Sequence, residues 1–469
     1  MDEMNNNHKR PVNSRRKPRS KMQIFKEAYL PVVIVGVALL LILTFIIGSI
    51  VRSVQRSNIE QQASIDASVA ESIAQAKLDQ EATKCAEEAT TLARQYDYDS
   101  AIAILDSFSG DISRYAQLAQ MRQEYTDAKD SMILWDDPSQ VLNLSFQLLI
   151  ADASRAFQDT TYGNSYNRNF VTTGEFSKIL LQLYENGYIL VRMSDVMTDT
   201  GIKELYLPNG KRPLIITQTN VNYNTYMVDG DGDKLPDKSG DGFASKLVLD
   251  ENGNITCEMI DSFGQTVTGA YDLVPILDSF IATHPEFSYK GAKAVLAVTG
   301  YDGLFGYRTS EKAKEYFGVS YHTQQVEGAT EIANALRESG YEFACYTYEN
   351  TAYGSLTASQ IQSELDKWNA EVTPILGEVN TLVFAKNSDI AANTAAYTGD
   401  KYSVLKDFGF TRYIGFCTDG SPWLSVGTEY IRQGRILVGG TNMKYHSEWF
   451  DGIFDSAYVL ESTRGTIPS

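Results

Sequence analysis

The sequence predicts an α/β protein, an irregular (β/α) barrel that follows a transmembrane helix and an α-helical stalk. Three observations predict this order. Residues 30–51 carry no charged side chain, residues 58–94 are rich in helix-forming residues, and short apolar runs alternate with amphipathic stretches beyond Trp135. Such alternation is typical of parallel sheets and barrels. The predicted segments are a basic tail (1–29), a membrane helix (30–51), a stalk (52–134) and a barrel domain (135–469).

The apolar run 30–51 is long enough to cross a bilayer, which takes about 20 apolar residues. A buried core helix is one alternative, but a soluble helix does not need so uniformly apolar a stretch. A cleaved signal peptide is another, but Arg52 and Arg56 follow the run and no small-x-small cleavage site is present. Eight Lys and Arg residues precede the run. The positive-inside rule therefore predicts a cytoplasmic N-terminus and an extracellular main domain anchored in the cell membrane.

The amino-acid composition and charge of the chain limit the classes of partner that it can bind. The chain of 469 residues is 43% hydrophobic and 11% aromatic, which is enough for a large core. Without its first 29 residues the chain has a formal charge of −23, because eight of the 41 basic and three of the 59 acidic residues lie in that tail. An acidic exterior argues against nucleic acid as a partner. Four cysteines are too few for a disulfide scaffold, although Cys345 and Cys417 both end predicted strands and could pair.

The stalk is predicted to be helical from residue 58 to 94, to break at 96–99, and to continue as helices over 100–108 and 112–130. This layout resembles a tetratricopeptide-like helical hairpin. One such unit is a weak signal, because stable arrays usually need about three repeats. We therefore interpret the segment as a spacer between the membrane and the barrel.

The barrel domain begins after Trp135-Asp-Asp-Pro138. A capping box at Thr172-Thr-Gly-Glu175 predicts the start of a helix. The Glu-Asn-Gly-Asn turn inside 246–257 predicts an inserted β-hairpin. Further helices are predicted over 327–337 and 359–368. Strands are predicted at 144–150, 188–191, 214–216, 294–298, 341–344, 381–384 and 412–416.

The region from about Asp137 to Pro468 resembles the NodB-type polysaccharide deacetylases, specifically a divergent, surface-anchored group. The resemblance implies their barrel fold, and a carbohydrate as the partner. The stretches that carry it are Phe170-Val-Thr-Thr-Gly-Glu-Phe, Gly187-Tyr-Ile-Leu-Val, Asn220-Val-Asn-Tyr, Asp272-Leu-Val-Pro-Ile-Leu-Asp, Ser288-Tyr-Lys-Gly-Ala-Lys, Thr299-Gly-Tyr-Asp-Gly-Leu-Phe-Gly-Tyr-Arg-Thr and Gly340-Tyr-Glu-Phe-Ala.

Members of that family hold a divalent metal with one Asp of an Asp-Asp pair and two His spaced His-x-x-x-His, and the other Asp is the general base. In this chain the Asp-Asp pair falls on Thr219 and Asn220, and the two His positions fall on Tyr346 and Asn350. Neutral hydroxyl, amide and phenol groups offset the desolvation of a divalent ion poorly. We therefore expect no metal at the barrel site and no hydrolysis of the usual kind.

Other catalytic arrangements remain open as alternatives. Glu349 is a candidate substitute base, and Asp195, Asp302 and Asp389 lie near predicted strand ends, where a carboxylate pair could cleave glycosides. No Gly-x-Ser-x-Gly motif is present, so an α/β-hydrolase has no support. His284, which follows a predicted helix in Thr-His-Pro, is interpreted as a surface loop residue, and His322 and His446, which have no motif around them, are interpreted as structural. The candidate glycan contacts are Gln147, Tyr223, Tyr348, Lys386 and Trp423.

An acidic loop carries a separate prediction. Asp229, Asp231, Asp233 and Asp237 stand at positions one, three, five and nine of a segment that resembles calcium-binding loops. The sixth position is Lys234 instead of Gly, and the twelfth lacks Glu. A flexible acidic insertion is the alternative.

We interpret the chain as a membrane-anchored deacetylase-like protein that binds cell-wall or extracellular polysaccharide without catalysis. Two rival hypotheses are an active hydrolase with a remodelled site and a surface scaffold that binds proteins.

Overall fold

The computed structural model describes Met22, Lys26 and residues 29–199, 201–393 and 395–469. Apart from Met22, Lys26 and Tyr29, the predicted basic tail lies outside the described residues. The chain divides into two compact units, residues 1–81 and 82–469.

The first long element is a single helix, Leu30–Arg94, in which the predicted membrane helix and the first stalk helix are continuous. It is the one helix of the described chain that is long and apolar enough to cross a membrane. The predicted break follows it, and two shorter helices, Tyr98–Asp106 and Ala116–Asp130, complete this part. Asp97 caps the first of them by accepting a hydrogen bond from the N–H of Ser100.

Residues 82–130 belong to the same unit as the barrel, so this part of the predicted stalk is docked on it. The N–H of Lys290 donates to the carbonyl of Gln95 at 2.7 Å. The Arg94 guanidinium lies 3.1 Å from the Glu286 carboxylate. These contacts join the end of the predicted stalk to the segment that precedes β3.

Seven parallel strands form the closed barrel, which confirms the predicted fold class. They pair in chain order around the ring, and the last strand pairs with both the sixth and the first. The strands are β1 (Leu142–Phe146), β2 (Arg212–Thr219), β3 (Val295–Val298), β4 (Glu342–Cys345), β5 (Thr381–Val383), β6 (Arg412–Phe416) and β7 (Ile431–Leu437).

The strand predictions need three corrections. The run 188–191 is a strand, Tyr188–Leu190, but it pairs with the start of β2 and bridges Ser288, and it lies outside the ring. The strand that closes the ring, β7, was not predicted, because Arg432, Gln433 and Arg435 break the apolar pattern. The first strand also ends at Phe146 and does not reach residue 150.

Shorter strands lie outside the ring of seven barrel strands. The predicted hairpin is present as Lys246–Leu249 and Ile255–Ile260, and Thr266–Gly269 adds a third antiparallel strand. Leu424–Val426 pairs antiparallel with β7. Ile133–Leu134 pairs with Tyr206–Leu207.

The helices between the strands cover the outside of the barrel. The predicted capping box is confirmed, since the Thr172 hydroxyl accepts the Glu175 N–H and the Glu175 carboxylate accepts the Thr172 N–H. The helices of this unit are Ala153–Gln158, Gly163–Asn169, Thr173–Glu185, Met193–Val196, Thr225–Val228, Leu273–Thr283, Glu311–Phe317, Val319–Glu338, Ala358–Glu371, Thr373–Leu376, Gly399–Phe408, Gly440–Tyr445 and Ser456–Val459.

The core has two layers because strand residues alternate between two faces. Outward residues such as Leu144, Leu296 and Tyr413 pack under the helices. Inward residues such as Ala297 and Ala344, which are register partners, fill the barrel with small side chains. Side chains at the carboxyl ends of the strands therefore meet at one mouth, where barrel enzymes place their chemistry.

Candidate functional site

The carboxyl mouth of the barrel is filled by protein side chains. By register, Ser145, Thr219, Tyr346 and Arg435 point inward at the ends of β1, β2, β4 and β7. Tyr346 is 4% exposed and Arg435 is 1% exposed. The barrel mouth, as we call these four residues, therefore offers hydroxyl groups and one guanidinium, and no carboxylate or imidazole.

Arg435 is the residue that sequence reasoning missed. Its guanidinium donates to the carbonyls of Phe384 at 2.8 Å, Ile414 at 3.0 Å and Gly415 at 3.3 Å, which lie at or just beyond the ends of β5 and β6. The guanidinium carbon lies 4.1 Å from the ring centre of Phe416 and 5.9 Å from that of Tyr346. Burial lowers the pKa of Arg435 to about 10, so the group stays cationic at neutral pH. The apolar residues at both ends of β7 were the signal that could have revealed this strand.

Two of the four substituted positions have a left-handed backbone. Thr219 is buried, and its hydroxyl donates to the carbonyl of Phe146 at 3.3 Å. Asn220 and Asn350 adopt left-handed backbone conformations with φ of 60° and 53°. Asn, Asp and His are the non-glycine residues that tolerate this region best. The backbone could therefore accept the family's Asp and His at these two positions.

Several polar atoms at the mouth are buried and have no hydrogen-bond partner in the described chain. They are the hydroxyl oxygens of Ser145 and Thr299, the amide oxygen of Asn220 and Nε of Arg435. These groups are neutral apart from the guanidinium. Such a donor set does not fit a divalent metal, because the fixed positive charge of Arg435 opposes a second cation nearby.

A buried carboxylate holds the loop that follows β2. Asp272 accepts hydrogen bonds from the N–H of Leu149 and the amide of Gln218, both at 2.8 Å, and from the Tyr223 hydroxyl at 2.5 Å. Burial raises the pKa of Asp272. The Tyr223 ring is fully buried, so the expectation that it contacts glycan is wrong. Its hydroxyl group instead helps to hold the buried Asp272 carboxylate in place.

Glu349 faces away from the barrel mouth. Its carboxylate lies 2.6 Å from the ammonium of Lys367, and both side chains are nearly half exposed. Tyr348, the residue before it, is buried and donates its hydroxyl to Glu371 at 2.7 Å, so its ring face is closed to glycan. This geometry gives Glu349 no group to act on inside the barrel.

The three other candidate carboxylates do not form a pair. Asp195 follows the outer strand near Glu342, the first residue of β4, and thus lies at the amino end of the barrel. Asp302 accepts the hydroxyl of Thr225 at 2.7 Å. Asp389 lies 2.8 Å from the buried guanidinium of Arg432. Each carboxylate therefore has a separate structural partner.

The remaining candidate glycan contacts lie at the carboxyl side of the barrel. Gln147 follows β1, and Lys386 is exposed after β5. The Trp423 indole donates to the carbonyl of Phe416 at 3.0 Å and is partly exposed. The two cysteines that could have paired, Cys345 and Cys417, are both free thiols.

A second concave site, not found from sequence, lies on the loops after β2 and β3. Its cavity measures about 240 Å³ and has a largely aromatic wall. Burial raises the pKa of Tyr226 to about 12, so its phenol stays neutral. We call it the aromatic cleft and define it by Tyr226, Lys234, Tyr301, Asp302, Tyr316 and Phe317.

The acidic loop gathers three of the four predicted calcium ligands. Carboxylate oxygens of Asp229, Asp231 and Asp237 all lie within 4.8 Å of one another, whereas Asp233 is not part of this group. Burial raises the pKa of Asp237, but hydrogen bonds from Ser239 outweigh this and the net shift is downward. The Asp237 carboxylate is thus charged at neutral pH.

No protein-family model and no curated protein sequence matches the chain. Solved structures that are similar to it include the following two. Streptococcus pyogenes deacetylase PplD in complex with acetate aligns with a TM-score of 0.35 and 11% identity, covering 68% of this chain and 98% of that chain. A de-N-acetylase from Aggregatibacter actinomycetemcomitans aligns with a TM-score of 0.33 and 10% identity, covering 64% and 95%. The fold assignment rests on the closed barrel of the chain itself.

Proposed function

We propose that this protein is anchored in the cell membrane by its N-terminal helix, and that its barrel binds cell-wall or extracellular polysaccharide without hydrolysing it. The observation that carries the proposal is the barrel mouth. A buried guanidinium lies beside a phenol, Tyr346, that stands at a metal-ligand position of the resembled family, and both aspartate positions are neutral.

The loss of catalysis follows from charge. Metal-assisted hydrolysis needs a cation that lowers the pKa of a bound water and a base that takes its proton. Thr219 is neutral at physiological pH and already donates to Phe146, so it cannot serve as that base. Arg435 is fixed by three carbonyls and would oppose a metal ion.

Glycan binding is supported by the aromatic side chains at the carboxyl face, together with the family resemblance. Tyr226, Tyr301 and Trp423 all lie on segments after barrel strands. Aromatic rings combine a large apolar face with a polar edge, which suits a sugar ring. An extracellular position is supported by the basic residues before the apolar helix.

We also propose that the acidic loop binds calcium. Three carboxylates within 4.8 Å repel one another, and a cation with oxygen preference would relieve that repulsion. The proposed topology puts this loop on the extracellular side, where calcium is more abundant than in the cytosol.

Restoration tests whether side chains alone removed the metal site. A variant with Asp at 219 and 220 and His at 346 and 350 should bind zinc, because the two added carboxylates offset the positive charge of Arg435 and the backbone at 220 and 350 suits the new residues. A variant with Asp at 219 and 220 only is the matched control and should bind far less. A folded four-residue variant that stays free of zinc would show that the backbone, too, has diverged.

A glycan array with the purified chain in detergent separates the functional hypotheses. Binding to polysaccharide fragments without release of acetate supports the proposal. Acetate release by the wild-type chain would establish the active-hydrolase alternative. Absence of any glycan signal, together with specific capture of a protein, would establish the scaffold alternative.

A further inference from the structure

The lining of the aromatic cleft is basic although the chain is acidic. Lys234, Arg308 and Lys312 line the cleft together with one carboxylate, Asp302, so three basic side chains against one acidic give the lining a formal charge of +2. The chain beyond residue 29 has a formal charge of −23. A concave site with a local excess of positive charge attracts an anionic ligand.

Arg308 and Asp302 compensate each other and belong to the framework of the cleft. The Arg308 guanidinium lies 3.8 Å from the Asp302 carboxylate and donates to the carbonyls of Asp302 at 3.2 Å and Tyr223 at 2.9 Å. The Asp302 carboxylate also accepts the Thr225 hydroxyl at 2.7 Å. Both charged groups are thus committed to protein partners, and the charge that remains for a ligand is that of the two lysines.

The two lysines have no acidic partner in the described chain. The Nζ of Lys234 lies 3.5 Å from the ring centre of Tyr316, an arrangement that cation–π attraction favours. Lys312 is exposed. None of the ion pairs among the described residues includes either lysine, and the pair within the cleft is that of Arg308. Two ammonium groups are therefore available to an anion.

The carboxylates that are nearest to these lysines in sequence already have partners. The Asp229 carboxylate accepts the backbone N–H of Lys234 and that of Gly232, both at 2.7 Å. The Glu311 carboxylate lies 2.8 Å from the Lys314 ammonium. These acidic groups therefore do not take the place of a ligand at the lysine side chains.

We propose that the aromatic cleft binds an acidic sugar of a polysaccharide, a sugar residue that carries a carboxylate or a phosphate group. Lys234 and Lys312 contact the anion, and the sugar ring lies against the aromatic wall. This inference rests on the proposed function and names the class of glycan.

The size and lining of the cleft favour a sugar over an acidic peptide. Its cavity of about 240 Å³ is smaller than the pockets of about 300–1,000 Å³ that hold drug-sized ligands, so it suits one sugar ring with its acidic group. Tyr226, Tyr301, Tyr316 and Phe317 form the wall, and the rings of Tyr226 and Tyr316 are exposed. Aromatic faces pack against the apolar face of a sugar ring, whereas Asp and Glu side chains offer no such face.

The position of the cleft also suits a polysaccharide. Tyr226 and Tyr301 stand on the loops that leave β2 and β3, at the carboxyl face of the barrel. A glycan chain that crosses this face would meet the cleft.

The test measures binding to the purified full chain in detergent by calorimetry, with a calcium chelator so that a metal ion in the acidic loop cannot bridge to the anion. The probes are a galacturonate tetramer and its methyl ester, a mannose pentamer with a terminal phosphate and the same pentamer without it, and pentaglutamate. At least one acidic glycan should bind at least about fivefold tighter than its neutral counterpart and than pentaglutamate. The acidic glycan that binds tighter identifies the anion as carboxylate or phosphate.

Lys234→Gln and Lys312→Gln should each weaken binding of the acidic glycan by about two- to fivefold, because each removes one cation at an accessible site. Lys211→Gln is the matched control. Its ammonium lies 5.6 Å from the ring centre of Tyr184, and the residue precedes β2 at the amino end of the barrel. This control should leave binding unchanged.

Tyr316→Ala should weaken binding of the acidic glycan at least about fivefold, because it removes a ring of the wall and the support of the Lys234 ammonium. Folding is not at risk, since the ring is 54% exposed. Tyr458→Ala is the matched control. It removes another exposed tyrosine, whose ring centre lies 5.9 Å from the Lys178 ammonium, and should change nothing.

Neutral glycans bound as tightly as the acidic ones, with no effect of either lysine variant, would overturn the acidic-sugar inference and leave the proposed glycan function standing. Pentaglutamate bound as tightly as the acidic glycans would overturn the assignment to a sugar. No binding of any of the four glycans, with no glycan bound on the array, would overturn both proposals.

Discussion

Removing the Tyr223 hydroxyl group should destabilise the folded chain near the barrel mouth. Tyr223→Phe keeps the fully buried ring and deletes the hydrogen bond of 2.5 Å to the Asp272 carboxylate. Asp272 keeps two donors, the N–H of Leu149 and the amide of Gln218. A hydrogen bond to a charged group contributes about 1.5–3 kcal/mol, so the free energy of unfolding should fall by that amount.

The loss of stability in Tyr223→Phe should depend on pH, and the burial of Asp272 sets the direction of that dependence. Burial raises the folded-state pKa of Asp272 above its unfolded value, so protonation favours the folded chain. As pH rises through the folded-state pKa, the carboxylate becomes charged and needs the hydroxyl more. The deficit of the variant should therefore be larger above the folded-state pKa of Asp272 than below it.

A double-mutant cycle measures the pair directly. Urea unfolding of the wild type, Tyr223→Phe, Asp272→Asn and the double variant should give a coupling of about 1.5–3 kcal/mol. Tyr413→Phe is a matched control, since its hydroxyl donates to the neutral carbonyl of Phe410 at 2.9 Å. It should cost about 0.5–1.5 kcal/mol. Additivity within about 0.5 kcal/mol would refute the assigned role of the pair.

Three further predictions concern charge and topology. Burial raises the pKa of Asp241 to about 6, so its charged form is disfavoured in the folded chain. Asp241→Asn should therefore be more stable than the wild type by about 1–2 kcal/mol at pH 8, and this gain should vanish near pH 4. Equal free energies of unfolding of the variant and the wild type at pH 8 would contradict this prediction. Calcium should raise the melting temperature in a saturable way, and Asp231→Ala should abolish the shift, whereas an equal shift in the variant would assign it elsewhere. Protease added to intact cells should remove the domain beyond Arg52, and protection of that domain would reverse the topology.

Local patterns predicted most of the barrel. The strands β2 to β6 are short apolar runs, and the Thr172–Glu175 capping box marked a helix start that is present. The strand β7 was missed, because its inward polar residues Gln433 and Arg435 interrupt the apolar pattern and are satisfied by partners distant in sequence, such as Asn143 and Phe384. A sequence pattern carries no information about such partners.

The candidate site was predicted in part for the same reason. Family positions located Thr219 and Tyr346, which do face the same interior. Which aromatic rings are open depends on tertiary contacts, so Tyr223 was wrongly expected at the surface. The aromatic cleft joins Tyr226 to Tyr316, which are 90 positions apart, and only the fold brings them together.

The metal content of the purified wild-type chain tests the central claim most directly. Elemental analysis after purification without chelators, and again after dialysis against zinc, should find less than about 0.1 zinc, cobalt or nickel per chain, because Asn220, Tyr346 and Asn350 replace the ligands. The four-residue restoration variant, treated in the same way, should contain about one zinc per chain. About one zinc per wild-type chain that is lost on Asn220→Ala would contradict the claim that the barrel mouth has given up its metal.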